Sequence, residues 1–481
     1  NSLQLQYIYA KNGANETFTI TDVPNLLFIC SDEEQINIIQ NLVDSSVVVN
    51  SYCSFTPGGN YNTITGDVRY DNNQDGCDVL DPKVGYARID VNLDGTSTNS
   101  SVFSNSVGDY NLYTSIPGTY ELIPNLENPS YFNISPTSFN VDFPTQASPF
   151  TQNFCVTANG VKHDVEVILI PTLPARPGFD ANYKLVYRNK GNQVENGSIS
   201  LTFDDDKLDY VSSNPLYNST AVNNFTWNYT NLQPFESREI ILVLNVNSPM
   251  EIPAVNNGDQ INFLAEITPF TNDEVQYDNI SALKQIVVGS YDPNDKTCLQ
   301  GETIEPSMVG EYVHYLIRFE NTGTYFAENI VVKDMIDTSK FDIATLVPLN
   351  SSHDFFTRIS GNKAEFIFEN INLDFDDATN DGYVLFKIKT LPTLTIGDTF
   401  SNQVNIYFDY NFPIVTNNYT TTVQLLNNQS FEFSSYFTLY PNPVKDVLNI
   451  QSKQDLIVNS MEIYNQLGQI VMAVANTSNR V

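Results

Sequence analysis

Histidine is almost missing from this chain: three residues in 481, His163, His314 and His353, on separate predicted elements. A catalytic triad or a zinc centre needs its imidazoles brought to partners, and this spacing suggests no such convergence. Cysteine is scarce too, with Cys30, Cys53, Cys77, Cys155 and Cys298 and no CxxC pair, which argues against a metal-thiolate site. Basic residues are outnumbered, 23 Lys and Arg against 56 Asp and Glu, for a formal charge of -33. A surface that acidic disfavours nucleic acid and anionic membrane and tolerates divalent cations. Long apolar runs are absent: the longest candidate, Ile240 to Val246, falls far below the ~18 residues that cross a bilayer as a helix, so no transmembrane segment is expected. Nucleophile elbow, phosphate loop and dinucleotide fingerprint are all lacking. Carboxylate runs such as Asp204-Asp205-Asp206 and Asp374 to Asp381 are too common here to single out a glycosidase pair. The expectation is a protein that is not an enzyme.

Apolar material is plentiful, 41% of residues with 27 Tyr and 30 Phe, so the chain folds, and its length calls for several cores. The class expected is mostly β. Ile64, Gly66, Val68 and Tyr70 alternate as in a half-buried strand, and Ala87, Ile89 and Val91 follow suit before an Asp94-Gly95 turn. Further on, Tyr183, Leu185, Tyr187, Asn189 and Gly191 repeat in spacing as Tyr315, Ile317, Phe319, Asn321 and Gly323. A period of about 130 residues is too long for a solenoid and fits tandem antiparallel β-sandwiches. Between them Ser290 to Lys296 carries the Pro and acidic residues of a linker. Near the start, Ser31 and Glu34 have capping-box spacing ahead of an apolar face of Ile36, Ile39, Leu42 and Val43, which predicts a helix. The single Trp227 reads as core rather than as a sugar platform.

One loop carries a chemical pattern. In Asp71-Asn72-Asn73-Gln74-Asp75-Gly76-Cys77-Asp78, side-chain oxygens of Asp71, Asn73 and Asp75 stand at alternate positions before a glycine, with the Cys77 carbonyl next. A hard cation is wrapped in that way. Pro82 stands where a bidentate Glu would close the shell, so Asp78 or Asp81 would have to do so, and a structural Ca²⁺ is expected. The competing reading is a solvated turn that binds nothing.

Leu439-Tyr440-Pro441-Asn442-Pro443, the strand Leu448-Asn449-Ile450, and Ile463-Tyr464-Asn465 running into Leu467-Gly468-Gln469 resemble the type A sorting domain that Bacteroidota proteins carry for type IX secretion. The resemblance implies export to the cell surface or medium, with the secretion machinery as partner. It also implies that the domain continues past Val481, and no leader pattern stands near Asn1, so both ends are expected to be cut. Residues 1–58 resemble the last turn and cap of a leucine-rich array. Residues 59–157 resemble Cna B-type and carboxypeptidase-regulatory-like sandwiches. Residues 158–290 and 291–427 resemble immunoglobulin-like conserved repeats of bacterial surface proteins, and 428–481 is the sorting domain. Export to an oxidising space permits disulfides, for which the sequence neighbours are Cys30 with Cys53 and Cys77 with Cys155, leaving Cys298 single. The resemblances together imply an adhesin-like protein, a stalk with a recognition domain for an extracellular protein or glycan. The alternative is a set of accessory modules of a secreted hydrolase.

Overall fold

The computed structural model describes residues 2–289 and 292–425, and in the tail 437–440, 445, 447–453, 460–464 and 470–475. Residues 1–424 form one compact unit and 425–481 another. The protein is mostly β, built from antiparallel sandwiches.

The larger unit begins with three parallel strands, Tyr7–Ala10, Phe28–Ser31 and Val48–Asn50, over a small core of Leu26, Ile29, Ile39 and Val49. The expected capping box is corrected here. Ser31 is the last residue of a strand and its hydroxyl donates to the Asp32 carbonyl. The helix is a single turn, Ile36–Gln40, after a 3-10 turn at Glu33–Gln35.

In the next sandwich the strand Asn62–Tyr70 is flanked by Asp109–Thr114 and by Phe150–Thr151 and Phe154–Ala158. The facing sheet sets Arg88–Leu93 between Thr96–Phe103 and Gly118–Asn125. Alternation supplies the core: Ile64 and Val68 from one sheet, Ile89, Val91 and Leu122 from the other.

The two repeats share one wiring. In the first, Val165–Pro171, Asp180–Asn189, Ser237–Val246 and Leu208–Asn214 face a sheet ordered Ser219–Ala221, Asn224–Leu232, Glu195–Phe203, Gln260–Ile267, Ile280–Ile286. The second repeats this with Asp295–Cys298, Tyr312–Glu320, Asp381–Thr390 and Phe341–Ser351 facing Phe356–Ser360, Lys363–Phe368, Ile330–Met335, Val404–Phe408 and Ile414–Val415. The linker reading of Ser290 to Lys296 therefore ends early, because Asp295 and Lys296 already lie in a strand.

The expectation of modules strung along a stalk meets a folded-back arrangement. Val165–Pro171 is buried at every residue: Val165, Val167 and Leu169 enter their own core, whereas Ile168 and Ile170 pack on Leu316, Leu349 and Leu385 of the second repeat. The edge strand Phe356–Ser360 pairs with Thr96–Phe103, so one nine-stranded sheet runs through two sandwiches, covering edges that would otherwise template aggregation. Tyr52 and Phe55 pack against Val331, Ile367 and Tyr407, and the Tyr52 hydroxyl donates to Glu365 at 2.6 Å. Periodicity within a strand reports one buried face; a second buried face depends on a partner far away in sequence.

Candidate functional site

The acidic loop leaves the strand Asn62–Tyr70 and turns through left-handed Gln74 and Gly76, at φ 62° and 99°. Carboxylate oxygens of Asp71, Asp75 and Asp81 converge within 4.8 Å of one another. The Asp71 oxygens accept the Asp75 and Gly76 N–H groups, and those of Asp81 accept Asn72 and Asp78. Asn73 accepts from Asp75 N at 3.1 Å and Asp78 from Leu80 N at 2.7 Å, so these two brace the turn. A disulfide joins Cys77 to Cys155 with Cα atoms 5.6 Å apart, and Cys30 to Cys53 at 5.9 Å. Cys298 is free and buried.

A second convergence, missed in the sequence, is Asp164, Asp273 and Asp278 in the first repeat. Lys190 fills it: its Nζ lies 3.1 Å from Asp164 and also pairs with Asp278. A metal ion there would have to displace a lysine. Burial pushes the Asp164 carboxyl up to about 6 and that of Asp278 to about 8, with Lys190 opposing both shifts.

This cluster belongs to a network at the meeting of three sandwiches. Glu127 of the first sandwich, Glu166 and Arg188 of the first repeat and Lys387 of the second are all paired. Lys387 Nζ lies 2.6 Å from both glutamates, and Arg188 bonds both as well. Burial alone would raise the Glu127 carboxyl, but Arg188, Lys387 and Lys190 hold it down at about 2. The adjoining cavity, about 760 Å³, is lined among others by Arg88, Glu127, Arg188, Tyr312 and Leu349. Its charges serve to dock the modules on one another.

The three histidines stay apart. His163 pairs with Glu195 at 2.5 Å, His353 meets Ser352 at 2.9 Å, and His314 lies against Gln300 at 2.8 Å, where burial drops its pKa to about 4. Asp374 and Asp376 cap their own turn. Trp227 is 2% exposed and donates to the Pro215 carbonyl at 2.9 Å, a core residue.

In the tail, Phe437–Tyr440 pairs antiparallel with Asn449–Ser452, and Ser460–Tyr464 with Ile470–Ala475. Leu439 and Tyr440 lie in the first of these strands and Leu448 just before the second; Pro441, Asn442, Pro443 and Gly468 lie outside the described residues. Residues 438–481 match the secretion system C-terminal sorting domain family. This is an exported protein. The match implies the type IX machinery as partner and places the protein at the cell surface or in the medium. No described helix is long and apolar enough to cross a membrane.

Residues 292–422 match a family known as a domain of unknown function. No curated protein matches the chain. Solved structures similar to it include the C-terminal domain of the Streptococcus pyogenes antigen I/II-family protein AspA, at 10% identity and TM-score 0.21 over 55% of this chain and 100% of that one. Two others are BcpA, the major pilin subunit of Bacillus cereus (12%, 0.21, 76% and 97%), and the collagen-binding domain from a Staphylococcus aureus adhesin (15%, 0.20, 28% and 99%).

Sequence reading also passed over Lys296, Asp334 and Asn402, which are buried together in the second repeat. Aligning the two repeats strand by strand is the signal that finds them.

Proposed function

We propose that this protein is a non-enzymatic, adhesin-like surface protein of a Bacteroidota host that recognises an extracellular protein or glycan. The observation that carries this reading is the sorting domain at 438–481 on a chain whose larger unit is a set of mutually docked β-sandwiches. In this reading Leu439, Tyr440, Pro441, Asn442, Pro443, Leu448 and Gly468 belong to the sorting signal. The domains run 1–58, 59–157, 158–290, 291–427 and 428–481. The parallel strands of the first segment follow one another at a spacing of about 20 residues, from Tyr7 to Phe28 to Val48, which supports the end of a leucine-rich array.

A structural Ca²⁺ at Asp71, Asn73, Asp75, the Cys77 carbonyl, Asp78 and Asp81 is part of the proposal. The contrast with Lys190 supports it: among the described residues no ion pair neutralises Asp71, Asp75 or Asp81, which converge all the same. Ca²⁺ would stiffen the loop; thermal unfolding in Ca²⁺ and in chelator should differ, and Asp75→Ala should abolish the difference.

The test of function is expression of the protein with and without everything from Phe431 onward, followed by fractionation and by adhesion of the cells to immobilised proteins and glycans. Surface exposure and adhesion that vanish together with the tail support the reading. Surface exposure without adhesion to any panel member removes the adhesin assignment and leaves the export assignment standing.

A further inference from the structure

Inside the second repeat, Lys296 and Asp334 have side chains with no exposure at all. Lys296 Nζ lies 2.5 Å from Asp334 Oδ2. Asn402, 5% exposed, donates its Nδ2 to that same oxygen at 3.1 Å. An amine and a carboxamide therefore share one carboxylate oxygen, while Asp334 Oδ1 has no hydrogen-bond partner. The rings of Tyr315 and Phe386 close the site, with centroids 4.5 and 5.3 Å from Nζ.

The fold does not require these polar groups. Lys296 stands opposite Ile317 as Leu169 stands opposite Leu185 in the first repeat. Val332 pairs with Phe366 as Ile199 pairs with Trp227, so Asp334 takes the place of Leu201. Asp334 pairs with Val404 as Leu201 pairs with Ala265, so Asn402, two residues earlier, takes the place of Phe263. Leu169, Leu201 and Phe263 all lie in the apolar core of the first repeat. A buried ion pair is in general no more stabilising than well-packed apolar residues, so this trio calls for a use other than packing.

We propose that Lys296 and Asn402 join in a self-formed amide cross-link, with Asp334 as its catalytic residue. Burial favours the uncharged amine of Lys296 over the ammonium, with the Asp334 charge opposing. The lone pair of the uncharged amine attacks Asn402 Cγ, forming the Nζ–Cγ bond, and Asp334 Oδ2 takes the one proton that Nζ sheds as the bond forms. The Cγ–Nδ2 bond then breaks, and Nδ2, which already touches Oδ2, leaves with the proton as ammonia. Asp334 ends as it began, and no oxidant or cofactor enters. Positioning does most of the work: the backbone of Lys296 is clamped by Asn417, whose Oδ1 accepts its N–H at 2.8 Å and whose Nδ2 donates to its carbonyl at 3.0 Å. The aromatic rings keep out the water that would compete with the amine.

The bond would tie the first strand of this sandwich to Thr399–Asn402, closing most of the domain into a covalent loop. That suits a protein that works under tension outside the cell, although the chemistry stands whether or not the adhesin reading does.

Intact mass of the full chain, with its cysteines reduced, tests it. The expected mass is lighter than the sequence by one ammonia, and digestion yields a branched peptide in which Lys296 resists trypsin and is linked to Asn402. Asp334→Ala and, separately, Lys296→Arg should restore the sequence mass. A wild-type chain at its sequence mass overturns the proposal, even if neither variant folds. Loss of water instead, linking Lys296 to Asp334, or loss of ammonia with only unbranched peptides, overturns it as well.

Discussion

The two repeats are wired alike and filled differently. Both carry the same brace: Asn189 accepts the Gly191 N–H at 3.0 Å and donates to the carbonyls of Gln193 and Leu232, and Asn321 accepts Gly323 N–H at 3.0 Å and donates to Tyr325 and Leu373. The Asn-x-Gly pattern is thus a structural cross-tie between a strand end and a neighbouring loop. In the first repeat the glycine also answers a close approach, since a Cβ on Gly191 would lie 2.5 Å from the Lys162 carbonyl oxygen. What differs is the centre, apolar at Leu169, Leu201 and Phe263 and polar at Lys296, Asp334 and Asn402. Shared wiring with unlike cores separates what specifies the sandwich from what has been added to it.

The largest effect is expected from erasing that difference. Lys296→Leu with Asp334→Leu and Asn402→Phe installs the centre of the first repeat in the second. The sandwich should fold, yet lose the cross-link, and closing a loop of about 100 residues is worth about 4–5 kcal/mol in the chain-entropy estimate. Denaturant unfolding should show the midpoint fall. A rise would mean that the trio is only a costly buried ion pair.

Next comes the contact between the repeats. Lys387→Met takes from Glu127 and Glu166 their cation from the second repeat and leaves Arg188 as the cation bonded to both; breaking a buried pair costs up to about 3–5 kcal/mol. Small-angle scattering should report a larger particle, and one unfolding transition should split into two. An unchanged radius would show that the apolar contact of Ile168 and Ile170 with Leu316 and Leu385 suffices to dock them.

How much of this was legible beforehand follows from distance along the chain. Alternation at Ile64 to Tyr70 and the repeat of Tyr183 to Gly191 at Tyr315 to Gly323 are local signals, and the strands lie where they point. Convergence of Asp71 and Asp75 was legible for the same reason, while the part of Asp81 needed the loop's actual path. The docking was not legible, because the faces that meet, such as Tyr52 on Glu365 or Arg88 on the Ile343 carbonyl at 2.9 Å, come from remote segments. Ser31 misled because capping-box spacing is a local rule, and here the parallel pairing of Phe28–Ser31 overrode it. Lys296 was hidden by its neighbours: next to Asp292-Pro293-Asn294 a lysine reads as linker, and only its pairing with Ile317 puts it in a core.

A smaller and equal effect is expected at the shared brace. Asn189→Ala and Asn321→Ala each leave buried backbone carbonyls unpaired, which costs about 1–3 kcal/mol. Matching losses in denaturant unfolding would confirm that the brace does the same job in both repeats; a loss at only one would show that docking has taken over at the other.

Taken per pH unit the effect of protons is the smallest, at most about 1.4 kcal/mol for each proton, and it is of opposite sign in the two repeats. Burial raises Asp164 to about 6 and Asp278 to about 8. The folded first repeat therefore holds protons that the unfolded chain releases, and stability is lost as pH climbs from the ordinary carboxylate range through about 8. His314 in the second repeat is lowered to about 4 by burial; there the unfolded chain takes up the proton first, and stability is lost as pH falls below about 6.5. Asp278→Asn should flatten the alkaline limb of a stability profile and leave the acid limb in place. Flattening of both limbs would mean that the two clusters titrate as one, through the Glu166 carboxylate that acts on Asp278 and His314 alike.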